Sequence, residues 1–133
     1  MIALDVIKNP IYDIFDRLAK SVYPKVGDNS SMSTTEEVSD FPYFSVKLLG
    51  YPTMRTDTEG NETHANVTIQ TDSYADGAGA LIKAYGIDDL AHQEMLNMGF
   101  RRTYGPTPMD NSQQSIKRVT SRYTRLLGNG EAL

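Results

Sequence analysis

At 133 residues, with 39% hydrophobic residues and a net charge of −4, the chain suits one globular domain that buries a core without staples. It contains no cysteine, which excludes a disulfide framework and a thiolate metal site. No run approaches the ~18 apolar residues of a membrane span, and Asp5 interrupts the start as it would no signal peptide, so a cytosolic or assembly-bound protein is expected.

Asn9 and Pro10 predict the start of a first helix, with Asn9 as N-cap and Pro10 at the first helical position, where a missing N–H does no harm. Ile11, Ile14, Phe15, Leu18 and Val22 then recur at helical spacing as one apolar stripe. Asp13 and Asp16 suit the positive end of the helix dipole, Lys20 the negative end, and Pro24 predicts the stop. Residues 27–40 are rich in Ser, Thr, Asn and Glu and read as a mobile surface loop.

Residues 41–49 alternate as a strand with one buried face: Phe44, Val46 and Leu48 on one side, Tyr43, Ser45 and Lys47 on the other. A polar connection over residues 50–63, with a turn at Gly60-Asn61, leads to a second alternating run. There Ala65, Val67, Ile69 and Thr71 oppose Asn66, Thr68, Gln70 and Asp72. The two strands fit an antiparallel pair.

Residues 73–98 predict helix in two pieces separated by Gly86. Ala78, Leu81, Ile82 and Tyr85 line the first piece. Ile87, Leu90, Ala91, Met95 and Met98 line the second, which Asp88 or Asp89 can begin. Gly99 is a natural residue to follow the helix, because φ > 0 costs it no Cβ clash. Gly105-Pro106-Thr107-Pro108 reads as a connection, and a last strand spans residues 115–127. The order α-β-β-α-β describes a single α+β domain over residues 1–133, with a small mixed or antiparallel sheet and two main helices packed on it.

Little in the chain supports catalysis. His64 and His92 have no spaced carboxylate or second histidine that would make a metal site, so no metal, cofactor or catalytic residue is expected. Glu36-Glu37 and Asp88-Asp89 are sequence neighbours that do not converge on one point, and solvating or capping roles suit them better than acid–base work. Asp76-Gly77-Ala78-Gly79-Ala80 lacks both the dinucleotide spacing and the Lys-Ser/Thr of a phosphate loop, and reads as a helix start. The two Asn-x-Thr triplets, at Asn61 and Asn66, read as chance matches to a glycosylation acceptor.

Charge is unevenly spread. From residue 101 onward six basic residues (Arg101, Arg102, Lys117, Arg118, Arg122, Arg125) face two acids, Asp110 and Glu131, so the acidic excess lies earlier. Such a chain can be complementary to itself, which suits a head-to-tail contact between copies. The basic final strand, with Tyr123, could also contact nucleic acid. In strict alternation, however, Arg118 and Arg122 share one face while Lys117, Tyr123 and Arg125 share the other, so the charge is not one stripe. Arginine stems packed on the sheet, with heads meeting carboxylates, explain the pattern as well.

Four segments resemble the tail terminator, or tail completion, proteins of long-tailed bacteriophages and prophages. They are the strand Val67-Thr68-Ile69-Gln70-Thr71-Asp72-Ser73-Tyr74, the helix end Met95-Leu96-Asn97-Met98-Gly99-Phe100-Arg101-Arg102-Thr103, the connection Pro106 to Asp110, and the strand Arg118-Val119-Thr120-Ser121-Arg122-Tyr123-Thr124-Arg125. With the N-terminal helix and the Phe41-Pro42-Tyr43-Phe44 strand, the likeness covers most of the chain, but not residues 27–40 or 50–63. It implies a non-enzymatic virion protein that forms a ring, commonly of six subunits, at the head–tail interface. Its partners would be other copies of itself, the tail tube protein and the head–tail connector proteins, with no membrane and no nucleic acid. A related connector or minor virion protein, or a small nucleic-acid-binding regulator, is the alternative. Candidate interface residues are Arg101, Arg102, Lys117, Arg118, Arg122, Tyr123 and Arg125.

Overall fold

Two helices cover one face of a six-stranded mixed sheet in the computed structural model, which describes residues 4–32, 41–50, 53–56, 62–109 and 115–128. Helix α1 spans Leu4–Val26 and leads through the two-residue strand β1 (Ser30–Ser31) to β2 (Tyr43–Gly50), β3 (Thr53–Thr56) and β4 (Glu62–Asp76). Helix α2 (Ala80–Asn97) follows, then β5 (Arg101–Met109) and β6 (Ile116–Gly128). The α+β class and the overall order agree with the sequence expectation.

The sheet order is β1-β2-β4-β6-β5, with β3 also paired to β4. Among the described strands only the β1–β2 pairing is parallel. Along the sheet axis β4 and β6 pair without interruption from His64↔Gly128 to Asp76↔Ile116.

Alternation assigns the two faces as expected. Phe44, Val46, Val67, Ile69 and Tyr123 join Ile14, Leu18 and Val22 of α1 and Ile87, Ala91, Met95 and Met98 of α2 in one core. A smaller cluster, Ala75, Ala80, Ala84 and Val119, lets the start of α2 approach the sheet closely, because alanine holds the backbones apart by only a methyl group. Helix α2 lies on β4 and β6, and α1 packs on α2 and β2.

Several local expectations fail for identifiable reasons. The first helix begins at Leu4, not Pro10, and runs through Pro24 to Val26, so both prolines sit inside it, each removing one backbone donor. The buried stripe Ile14, Leu18, Val22 and Val26 continues past Pro24 and outweighs the lost bond. The helix stops at Gly27, whose N–H reaches the Tyr23 carbonyl at 2.8 Å. The 27–40 loop contains β1, the 50–63 connection contains β3 and the start of β4, and residues 33–40, 51–52 and 57–61, including the Gly60-Asn61 turn, lie outside the described residues. Residues 73–76 extend β4, and α2 passes through Gly86 as one helix. Leu81 and Ile82 are exposed, Ile82 by 79%, and the helix instead buries Ala80, Ala84, Ile87, Asp88, Ala91 and Met95.

Gly99 behaves as expected. With φ +80 it closes α2 in a Schellman motif, where Phe100 N–H reaches Met95 O and Gly99 N–H reaches Leu96 O, both at 3.0 Å. The expected connection over residues 105–108 is instead the middle of β5. Gly105 permits this: at φ +85, an added Cβ would lie 2.2 Å from the Thr120 carbonyl oxygen on β6.

Two variants test this packing by urea denaturation. Phe44→Ala should cost about 3–5 kcal/mol, as for a fully buried ring, while Ile82→Ser should stay within about 0.5 kcal/mol.

Candidate functional site

Polar side chains gather in two places, one on each face of the sheet. On the helix face, β5 and β6 are tied to α2 by a buried network centred on Asp88, which is 2% exposed. Asp88 Oδ1 accepts from Ser121 Oγ at 2.7 Å, and Asp88 Oδ2 accepts from Arg102 Nη2 at 3.0 Å in an ion pair. Arg102 also donates to the Tyr123 hydroxyl, from Nη2 at 3.0 Å and Nε at 3.3 Å. The hydroxyl lies 3.2 Å from His92 Nδ1.

Arginine can only donate, so the Tyr123 oxygen accepts from it and the Tyr123 proton points to His92 Nδ1. That assigns a neutral imidazole carrying its proton on Nε2. Burial and the neighbouring Arg102 charge push His92 below its ordinary value, against the opposing carboxylates of Asp88 and Asp89. Burial pushes the Asp88 carboxyl up, and the Ser121 hydrogen bond and Arg102 pull it partly back. Tyr123 is raised by burial and then by the Asp88 charge, with Arg102 opposing. Asp88, expected as a solvating or capping group, is therefore a structural anion. Its spacing from Ala84 and Ala91 on the buried side of α2 was the sequence signal for that burial.

The arrangement is not a nucleophile–base pair. Ser121 donates to the carboxylate itself and is fully buried, and His92 is engaged by Tyr123. Among the described residues no group of three or more His, Cys, Asp and Glu could hold a metal ion. No helix among them is long and apolar enough to cross a membrane.

The opposite face carries no helix among the described residues and is mostly polar. Strand register aligns its side chains in rows: Lys47–Gln70–Arg122–Tyr104, then Ser45–Asp72–Thr120–Thr107, then Tyr43–Tyr74–Arg118–Met109, with Thr68, Thr124 and Arg101 at the other side. Hydrogen bonds join them laterally. Thr124 donates to Asn66 at 2.7 Å, Arg122 to Gln70 at 3.0 Å, Gln70 to Asp72 at 3.0 Å and Thr120 to Asp72 at 2.5 Å. Arg118 Nε lies 3.8 Å from Asp72, and Arg122 stacks over the Tyr104 ring at 5.0 Å. Across this face Lys47, Arg101, Arg118 and Arg122 meet two described carboxylates on β4, the buried Asp72 and, at the strand's end, the exposed Asp76.

The seven candidate interface residues thus divide. Arg101 and Arg122 are exposed on the open face, with Arg118 half-buried between them and the β1 side. Lys117 is exposed near the start of β6. Arg102 and Tyr123 belong to the internal network, and Tyr123 is fully buried. Arg125 lies against Gly99 on the helix face and donates to the Met98 carbonyl at 2.8 Å, closing the end of α2. His64 lies on β4 opposite Gly128, and its side chain lies outside the described residues, as do Glu36 and Glu37.

Neither protein-family models nor curated proteins yield a match to the chain.

The network makes two testable statements about pH. Arg102→Met leaves the buried Asp88 carboxylate without its ion-pair partner and should cost about 3 kcal/mol at pH 7, with the loss shrinking as the pH falls, because burial raises Asp88 and eases its protonation. Because the folded-state value of His92 is depressed, its contribution to stability is complete above about 6.5 and falls away as pH drops through the folded value. His92→Asn, which keeps an acceptor for Tyr123, should remove that component. Chemical denaturation of both proteins between pH 7.5 and 5 compares the slopes.

Proposed function

We propose that this chain is a non-catalytic structural subunit of a bacteriophage tail, a tail terminator acting at the head–tail interface of the virion. It assembles with copies of itself into a ring, of six subunits by the family likeness. The ring caps the tail tube, ends its polymerisation and presents a surface to the connector proteins. The observation that carries this reading is the exposed pair Arg101 and Arg122 on a sheet face that no described helix covers, in a chain of net charge −4. A face rich in hydrogen bonds, with more cations than carboxylates, suits a protein partner that brings acids to it.

The long β4–β6 ribbon supports the same reading. Arg125, paired with Val67, marks where α2 ends, and the pairing continues past it to His64↔Gly128, with β3 alongside β4. A three-stranded extension therefore passes the end of the helix layer, a shape suited to contact with a neighbouring subunit. Base stacking fits the open face less well. The Tyr104 ring is taken by Arg122, and Tyr74 is buried against Phe41 and Tyr43.

Reversal of charge at Arg101 and Arg122 together (Arg101→Glu, Arg122→Glu) should lower assembly by at least about tenfold in apparent association constant, with the monomer's circular dichroism unchanged. Light scattering and negative-stain microscopy read the outcome. Rings that form normally in that variant count against the proposal.

A further inference from the structure

The side of the molecule away from β5 carries a groove with complementary chemistry. It runs along the second half of α1 and is lined by Phe15, Asp16, Ala19, Tyr23, Asp28 and Lys20, with Gly27 and Ser30 at its end. Its volume of about 680 Å³ admits several side chains. Tyr23 is 58% exposed, though an aromatic residue of this size gains by cover. The carboxylates of Asp16 and Asp28 form no hydrogen bond or ion pair with other described residues. The groove also sits at the C-terminal end of α1, where the negative end of the helix dipole is offset by Lys25 in the last turn. Lys20 is the one adverse charge. It also borders a second groove with Arg17, Ser21 and Glu94, where Arg17 already pairs with Glu94 at 2.7 Å, so Lys20 must turn aside to admit a cation.

This combination selects a cation with a flat, weakly hydrated head. An arginine can lay its guanidinium on Tyr23 or Phe15 while bonding a carboxylate, and loses less hydration than lysine on doing so. The chain itself carries such groups in the right place. Arg101 is exposed, and its side chain has no partner among the described residues. Arg122 lies diagonally across from it, two residues along β6 from Thr124, the partner of Arg101.

Their positions in the fold decide how two copies can meet. The sheet order is β1-β2-β4-β6-β5, and α1 packs beside β1 and β2. The groove and the arginines therefore lie at opposite sheet edges and cannot reach each other within one chain. Two different complementary patches on opposite sides of a subunit give a heterologous, head-to-tail contact, the kind that closes into rings. Pro106 and Pro108 on the edge strand β5 lack backbone donors, which discourages direct strand-to-strand pairing there and leaves the contact to side chains.

We propose that the α1 groove of one copy receives Arg101 and Arg122 from the β5–β6 edge of the next. The occupant is a second copy of this chain. The inference rests on the self-assembly reading above and specifies its two surfaces.

A charge-swap mixture tests it with full-length protein. One variant carries Arg101→Glu and Arg122→Glu, and the other carries Asp16→Lys and Asp28→Lys. Each alone should assemble at least about tenfold more weakly than the wild type. Mixed one to one, they should regain assembly, because the reversed edge then meets the reversed groove and the untouched surfaces meet each other. Tyr23→Ala, which keeps every charge, should weaken assembly independently and guard against a folding defect in the acidic-site variant. If the wild type forms rings but the mixture stays dissociated, the pairing is wrong and the ring reading survives. If the wild type remains monomeric by sedimentation even with tail tubes added, both readings fail.

Discussion

The ion pair between Asp88 and Arg102 governs how the last third of the chain is held. Strand β5 has a single neighbour, β6, and its register against β6 shifts between Arg102 and Tyr104 and again between Tyr104 and Thr107. Backbone pairing alone would leave such an edge loosely placed. Arg102 reaches from β5 to a carboxylate on α2, and the same guanidinium holds the hydroxyl of Tyr123 on β6. Three elements thus meet at one planar, five-donor group. Its fixed fork suits this role in a way that a lysine's single ammonium would not.

The cost of burying Asp88 explains the rest of the network. A carboxylate taken out of water needs both oxygens satisfied, and Ser121 and Arg102 each supply one bond. The Arg102 donors then require acceptors, and the Tyr123 oxygen takes two of them, which leaves the phenol proton for His92. Each partner follows from the unsatisfied valence of the one before. The network also fixes which way β5 faces: with Arg102 turned toward α2, Arg101 is left on the open side.

What could be read in the sequence follows from the range of the forces involved. Faces set by alternation, such as Phe44 and Val46 against Tyr43 and Lys47, are local and legible, and so is Gly99, whose left-handed turn is a backbone requirement. The division of Arg118 and Arg122 from Tyr123 and Arg125 was legible for the same reason. Pro24 and Gly86 misled because tertiary burial of Val26 and Ile87 outweighs local propensity. Residues 105–108 looked like a connection because Gly and Pro usually punctuate. Here they line an edge strand, where missing donors face outward and where only glycine fits beside Thr120. The spacing of Asp88 on α2 carried a signal of its burial, but its ion pair was not legible, because the counter-ion is fourteen residues away on another element.

Arg101 and Arg102 show how little a count of charges says about a surface. They are adjacent in sequence and identical in chemistry, yet strand alternation sends one inside and the other out. The basic C-terminal run divides in the same way: Arg102 neutralises Asp88, Arg118 approaches Asp72, and Arg125 closes a helix. Roughly half of its cationic character is thus spent inside the domain. What remains outside is Lys117 near the start of β6 and the pair Arg101 and Arg122 on the open face by β5. A diffuse basic patch would attract any polyanion with little regard to orientation. A few arginines on a rigid sheet edge, held in place from behind by a buried ion pair, can instead discriminate by geometry. That pre-organisation is what a repeating contact between identical subunits requires, since any error in angle accumulates with each copy added.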